Sequence, residues 1–275
     1  MTIVGSVLVR NEDVFVERAV RNAASFCDRI HVLDHMSNDR TWEVLVALAG
    51  ELEHLELRRS RRSGESHRQL EPYVGTPTWA LVIDGDSLYD PSGLARLREA
   101  VLAGEYASYF RLRRHVLHCD ELDEEGGLAS GYLGPPSRTG ISLFNLEAVT
   151  AWSGCPERLH GGRPQFRPGY DWHRVLDLTE TTDWDTDPLR MLHVCFLRRS
   201  SADRDWHDGR PNLSETGGYR RGVVGRARRL VRRPARDPKL AEIQRRGRNW
   251  KQDKYRRGPR VTVDAAPFLY QLESR

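Results

Sequence analysis

Two hydrophobic periods alternate along the first ninety residues. Ile3 to Val9 (IVGSVLV) is a mostly apolar run rich in β-branched residues and predicts a first strand. It ends at Arg10-Asn11-Glu12-Asp13. Over 14–26 the apolar residues Val16, Ala19, Val20, Ala23 and Ala24 recur at helical spacing, with Asp13 in position to cap the helix. Ile30 to Leu33 predicts a second strand, closing on Asp34. Ser37, Asn38 and Asp39 are turn and N-cap residues, and Trp42, Leu45, Val46, Leu48, Ala49 and Leu52 mark a second helix over 41–52. Leu55 to Leu57 suggests a third strand, 58–64 a basic loop, and 66–74 a helix that Pro77 ends. Trp79 to Ile83 (WALVI) is an uninterrupted apolar run, the pattern of a strand buried on both faces. It passes straight into Asp84-Gly85-Asp86.

The order β-α-β-α-β-(α)-β predicts an α/β domain with a mostly parallel, doubly wound sheet flanked by helices. In such sheets ligands collect at the C-terminal strand ends. Those ends gather Arg10-Asn11-Glu12, Asp34 and Asp84-Gly85-Asp86 on one edge. Two carboxylates separated by one glycine suit a hard divalent cation, and such a cation commonly brings phosphate with it. Asp-Gly is also a turn dipeptide, so the upstream strand ends are what favour a site.

The second half is less regular. A helix is expected over 94–102 and strands over 106–112, 138–145 and 189–197, the last with His193 at its middle. The stretch 152–169 holds Gly154, Pro156, Gly161, Gly162, Pro164, Pro168 and Gly169 and is expected to be a long irregular loop. Its aromatic flanks, Trp152, Phe166, Tyr170 and Trp172, fit either a sugar-stacking surface or plain core. A tail over 261–272 is expected to pack back through Phe268, Leu269 and Tyr270.

Composition adds two constraints. Hydrophobic residues are 39% and charged residues 30% of the 275, enough for a core in a polar chain. No apolar stretch has the length of a membrane span and no signal peptide is recognised, so a cytoplasmic protein is expected. Cys27, Cys119, Cys155 and Cys195 are widely spaced, which predicts reduced thiols and no cysteine-built zinc site. Charge is uneven. Residues 217–260 carry 17 Lys/Arg against 3 Asp/Glu, a balance of +14, leaving 26 against 36, or −10, elsewhere. Such a segment is expected to meet an anion. The apolar face Val223, Val224, Ala227, Leu230 and Val231 of a basic helix over 220–233 fits either an anionic membrane surface, peripheral to the inner face, or packing on the body.

Three pieces in this order, VLVRNE, VLDHMSNDRT and WALVIDGD, resemble the nucleotide-binding half of glycosyltransferase family 2, with its GT-A fold. The resemblance covers about 3–91. It implies a catalytic domain over 1–200, with a nucleotide and metal half (1–91) and an acceptor half (92–200), followed by a basic lid and helical extension over 201–275. It implies a nucleotide-diphosphate sugar donor (UDP-, GDP- or TDP-linked), an acceptor hydroxyl compound, and Mn²⁺ or Mg²⁺. Position by position, it implies that Arg10, Asn11, Glu12 and Asp34 contact the nucleotide and that Asp39 fixes the second loop. Asp84 and Asp86 then hold the metal against the diphosphate, with His193 as third ligand and Arg198 and Arg199 facing the diphosphate.

Local structure offers other roles for several of these. Asn11 and Asp13 also suit a helix cap, Asp34 a turn, Asp39 an N-cap, and His193 a satisfied core histidine. An inverting transferase needs a carboxylate base, and the family's usual Glu-Asp pair is absent. Asp171 is the first candidate and Glu157 the second. His160 stands near a family His-Glu position, but Gly161 replaces the Glu. The competing readings are a protein that binds anionic membrane or nucleic acid through the basic segment, and a nucleotidyltransferase. No nucleic-acid motif accompanies the basic segment, so no nucleic acid partner is expected. A Gly-rich phosphate loop after the first strand is missing too.

Overall fold

A computed structural model of the chain describes residues 1–134, 140–202 and 255–269. The first half runs β1 (Thr2–Val9), α1 (Val16–Ala24), β2 (Arg29–Asp34), α2 (Thr41–Glu51), β3 (Leu55–Arg59), α3 (Glu65–Arg68), β4 (Thr78–Asp84), β5 (Ser87–Tyr89) and α4 (Pro91–Leu102). It continues with β6 (Arg111–Arg113), β7 (Val116–Asp123), β8 (Leu128–Leu133), β9 (Ile141–Asn145), β10 (Val149–Ser153) and β11 (Arg163–Phe166). Last come β12 (Val175–Asp177), α5 (Leu178–Thr181), β13 (Met191–His193) and β14 (Arg260–Asp264).

The main sheet has the order β12-β6-β9-β4-β1-β2-β3. Strands β4, β1, β2 and β3 are mutually parallel, while β9 runs antiparallel to both β4 and β6. The chain steps outward from β1 to β2 to β3, then returns past β1 to β4. The crevice between the ends of β1 and β4 is therefore the topological switch point, the place where α/β sheets take ligands.

Alternation along the strands explains the layers. On β4, Trp79, Leu81 and Ile83 enter one apolar cluster and Ala80 and Val82 the other. The first cluster takes the apolar stripes of α1 (Val16, Ala19, Val20, Ala23), α2 (Leu45, Leu48) and α4 (Leu94, Leu97, Val101). The second is covered by Leu70, beyond α3, and by Val149 and Trp152 of the β10–β11 hairpin. The flanking is thus unequal: long helices on one face, and short elements with aromatic side chains on the other.

A second sheet, β14-β8-β7-β13-β5, begins where β4 ends. Strand β5 starts at Ser87, directly after Asp86, and pairs antiparallel with β13, setting His193 opposite Ser87. The Asp84-Gly85-Asp86 turn is the hinge between the two sheets.

Several expectations change. The helix expected over 66–74 is a short α3 followed by a single 3-10 turn at Glu71–Tyr73. The strand expected over 106–112 is confined to β6, after turns. The expected irregular loop over 152–169 contains half of a β-hairpin, in which Trp152 is 4% exposed and in ring contact with Phe110, Phe144 and Trp172. Trp152, Phe110 and Phe144 serve as core, while Trp172 is 36% exposed. Asp13 does not cap α1; its carboxylate accepts from the Arg40 and Ser201 backbone N–H groups. The tail packs back as expected, with β14 on β8 and Phe268 fully buried. The expected lid beyond residue 202, the basic helix over 220–233 and Tyr270 lie outside the described residues. Among the described residues no helix is long and apolar enough to cross a membrane.

Candidate functional site

The site is built on the ends of β1 and β4. Gly85 lets the two aspartates close against β1. A Cβ at Gly85 would stand 2.3 Å from Glu12 Oε2 and 2.8 Å from Val9 Cγ1, so a larger residue would push the turn and Glu12 apart. Asp86 is 2% exposed. Arg199 pairs with Asp86 and, at 3.4 Å, with Glu12 Oε1. On the other side of the turn, Arg158 Nη1 donates to Asp84 Oδ1 (2.5 Å) and to the Ile83 carbonyl (3.2 Å). Each carboxylate of the pair has its own buried guanidinium.

Both arginines are held from behind. Arg158 has φ +40°, a left-handed backbone uncommon outside glycine. Its N–H donates to Ser66 Oγ (2.8 Å), and His67 Nδ1 lies 2.7 Å from its carbonyl oxygen. The short α3 thus fixes a strained residue, a feature that clusters at functional sites. Arg199 is anchored through its neighbours. Val14 N donates to the Arg199 carbonyl (3.2 Å), Ser200 Oγ to Asp39 (2.6 Å), and Ser201 N to Asp13 (2.7 Å). Asp39 therefore ties the second loop to the 199–201 segment, and it also accepts from Thr41 N (3.0 Å). Burial works to raise its pKa, but the hydroxyl and N–H donors from Ser200 and Thr41 hold it below the usual carboxylate range.

The β2 end is organised differently. Asp34 is fully buried and accepts from Ser37 N–H and Oγ and from Arg59 Nε (2.6 Å). The Asn11 side chain accepts from Asn38 N (2.9 Å) and Asn11 N donates to Ser37 Oγ (2.9 Å). Asn11 thus binds the β1 and β2 loops to one another, and Asp34 binds the β2 loop to the end of β3. Asn11 and Met36 reach positive φ, 55° and 57°, in doing so. Arg10 stands partly exposed at the end of β1.

Strand β13 brings His193 to this edge. Its Nε2 is 3.6 Å from Asp86 Oδ1, and its Nδ1 is 3.0 Å from His118 Nδ1 on β7. Burial disfavours the imidazolium, but the Cys195 sulfur and the Asp86 carboxylate outweigh it and raise the His193 pKa to about 10. At Asp84, partial burial is likewise outweighed by Arg158, helped by His160 and His193 against Asp86, and the carboxyl sits below its usual range.

Positive charge on Arg158, Arg199 and His193 thus faces negative charge on Glu12, Asp84 and Asp86. By donor type alone, two carboxylates and one imidazole suit a hard to borderline divalent ion such as Mn²⁺ better than Mg²⁺; their ligand atoms do not all lie within 4.8 Å of one another in this structure.

The other candidates divide. Glu157 Oε1 is 3.6 Å from Arg158 Nη2, which joins it to Asp84 through one guanidinium. Asp171 accepts from His173 N (2.6 Å) and Arg174 N (3.1 Å) in an exposed turn. Arg198 is exposed and donates to the Ser200 and Ser201 carbonyls of its own loop (3.0 and 2.7 Å). Sequence reasoning missed Arg158 as the partner of Asp84, and it missed His118. Only the β7–β13 register, which opposes His118 to His193, identifies the latter.

No family model matches the chain, and no curated protein does. Solved structures give partial likenesses. The mannosyltransferase PcManGT from Pyrobaculum calidifontis, in complex with GDP-Man and Mn²⁺, is 17% identical over 41% of this chain and 35% of that one, at a TM-score of 0.33. Glucosyl-3-phosphoglycerate synthase from Mycobacterium tuberculosis, in complex with phosphoglyceric acid, is 16% identical over 55% of this chain and 59% of that one, at 0.36. A UDP-glucose pyrophosphorylase complexed with UDP-glucose is 12% identical over 70% of this chain and 90% of that one, at 0.28. The chain thus spans less than two thirds of the first two. Similarity this low carries no argument about activity, and the α/β class rests on the strand order described above.

Proposed function

We propose that the protein is a metal-dependent, inverting glycosyltransferase of the hexosyltransferase type and GT-A architecture. It moves a sugar from a nucleotide-diphosphate donor to an acceptor hydroxyl. The observation that carries this reading is the convergence of Glu12, Asp84, Asp86 and His193, with Arg158 and Arg199, at the β1/β4 switch point. Asp84 and Asp86, with His193 Nε2 as the third donor, would hold Mn²⁺ or Mg²⁺. When bound, the ion offsets the negative charge that develops on the departing diphosphate.

The chain's own residues do the rest. Arg158 and Arg199, which pair with Asp84 and Asp86, would offer their guanidiniums to phosphate oxygens in bidentate fashion. Arg198, on the adjacent exposed turn, adds charge to the same face. Arg10 and the loop that Asn11, Asp34 and Asp39 fix form the wall for the nucleotide base. Glu157, within reach of the Asp84–Arg158 pair, takes the acceptor proton as general base, ahead of Asp171.

Thermal shift tests the reading. UDP-, GDP- and TDP-sugars should raise the melting temperature with Mn²⁺ present and fail to do so after chelation. No shift by any nucleotide sugar, together with stabilisation by anionic vesicles or DNA, would overturn it.

A further inference from the structure

We infer that His118, His193 and Cys195 form a second metal site, for a borderline-soft ion of the Zn²⁺ class, beside the two-aspartate turn. One ligand atom from each residue lies within 4.8 Å of the other two, the two histidine Nδ1 atoms are 3.0 Å apart, and no other such group stands among the described residues. Two imidazoles and a sulfur are the donors that zinc takes at about 2.0–2.1 Å and 2.3 Å respectively. The inference shares His193 with the proposed function but does not rest on it, because His118 and Cys195 are donors that a hard ion does not want.

The fold explains why these atoms meet. Strands β7 and β13 run parallel with His118 and His193 in register, so both rings project from one face of the sheet. Past β13, Val194 N donates to the Asp86 carbonyl (3.0 Å) and the chain turns at once, Leu197 N donating to the Val194 carbonyl (3.1 Å), which sets Cys195 in the turn beside His193. His118 is 3% and Cys195 9% exposed. Tyr255 stacks on His118 at 4.2 Å between ring centroids, with the planes 24° apart, and meets His193 edge-on at 5.5 Å. The ligands are therefore shielded and pre-positioned, as metal donors must be.

Asp86 completes the arrangement. A zinc-binding histidine donates its other ring N–H to a carboxylate or carbonyl, which fixes the tautomer. With Nδ1 on the ion, His193 turns Nε2–H toward Asp86 Oδ1, 3.6 Å away. A neutral imidazole has one lone pair to give, so His193 then no longer serves the hard ion, which keeps Asp84 and Asp86. Three protein ligands leave a fourth position, the pattern of zinc sites that take a water or substrate oxygen.

Cobalt(II) is the probe. Titrated into the metal-free full-length protein, one equivalent should produce a sulfur-to-cobalt charge-transfer band that one equivalent of Zn²⁺ abolishes. Cys195→Ser should lose the band and His118→Gln should weaken Co²⁺ binding, each with an unchanged circular dichroism spectrum. Cys119→Ser should keep it. Asp86→Asn should weaken Zn²⁺ by about 10- to 100-fold while retaining a band, the effect of losing the ring's partner. Absence of a band in the wild-type protein, or a band that survives Cys195→Ser, would overturn the site. Asp84→Asn should leave the band intact even where it abolishes nucleotide-sugar binding, so failure of this site and failure of the proposed function are read separately.

Discussion

His35 and His193 stand at the ends of strands in the same molecule and are driven in opposite directions. Burial alone would keep both rings neutral. At His35 it prevails: Arg10 adds to it, the Arg61 carbonyl 3.0 Å from Nε2 and Asp34 oppose it, and the pKa is lowered. At His193 the Cys195 sulfur and Asp86 overturn burial and the pKa rises to about 10. One side of the crevice is thus electropositive, with Arg58, Arg61 and Arg62 exposed beyond β2 and β3. The other carries the carboxylates Glu12, Asp84 and Asp86, each paired with Arg158, Arg199 or His193. A cation-bound diphosphate needs both surfaces side by side, anion against the first and cation against the second.

The sharpest way to break this comparison lies within the Asp-Gly-Asp turn. Asp86 is buried against Arg199, whereas the Asp84 side chain is 43% exposed beside Arg158. Asp86→Ala should abolish metal-dependent donor turnover and also destabilise the fold by about 3–5 kcal/mol, since it strands Arg199 in the interior. Asp84→Asn should remove donor turnover at a lower stability cost, because the amide oxygen can still accept from Arg158, whose buried guanidinium also donates to the Ile83 carbonyl (3.2 Å). Urea unfolding and turnover, measured on both variants, check this. Equal destabilisation would mean that the two carboxylates do not differ in kind, and full activity of Asp86→Ala would remove it as a ligand.

The electronegative side was half legible in the sequence. Trp79 to Ile83 announced a strand buried on both faces, because no polar residue interrupts it, and the aspartates had to emerge at its end. The switch point followed from the alternation of periods upstream. The partners could not be read. Arg158 lies in a stretch dense with glycine and proline that looks like an irregular loop. In fact Gly154, Gly161 and Gly162, all at positive φ, stand in the connection between β10 and β11, while Val149 and Trp152 take the core. His118 and Cys195 join His193 only through the pairing of short β13 with β7 and β5, and three-residue strands leave no periodic trace. On the electropositive side, Asp34 is expected from the sequence to contact the nucleotide; what the sequence does not reveal is that its carboxylate accepts from Ser37 and Arg59.

A smaller effect distinguishes the two candidate bases. Glu157→Gln should lower kcat by about 10²–10⁴-fold, the usual worth of general-base catalysis, with nucleotide-sugar binding preserved. Asp171→Asn should stay close to wild type, because its carboxylate closes a turn that asparagine also closes. Single-turnover rates measured alongside donor affinity check both. The reverse ranking would place the acceptor beside 171–174 instead of beside Arg158.

The pH dependence of stability in the metal-free protein separates the two histidines by sign. The His193 pKa is raised in the fold, to about 10, from an ordinary value of about 6.5. The folded state therefore holds a proton that the unfolded state releases, and this contribution is complete below about pH 6.5 and is lost as pH rises toward 10. The His35 pKa is lowered, so the unfolded state binds the extra proton, and its contribution is present above about pH 6.5 and is lost on acidification. Urea titrations under chelation, from pH 5 to 10, should then show stability falling in both directions. His193→Gln should flatten only the alkaline limb and His35→Gln only the acid limb, since glutamine can still donate to the Arg61 carbonyl. An alkaline limb untouched by His193→Gln would mean that the ring is neutral in the apo protein and that Asp86 and Cys195 do not outweigh its burial.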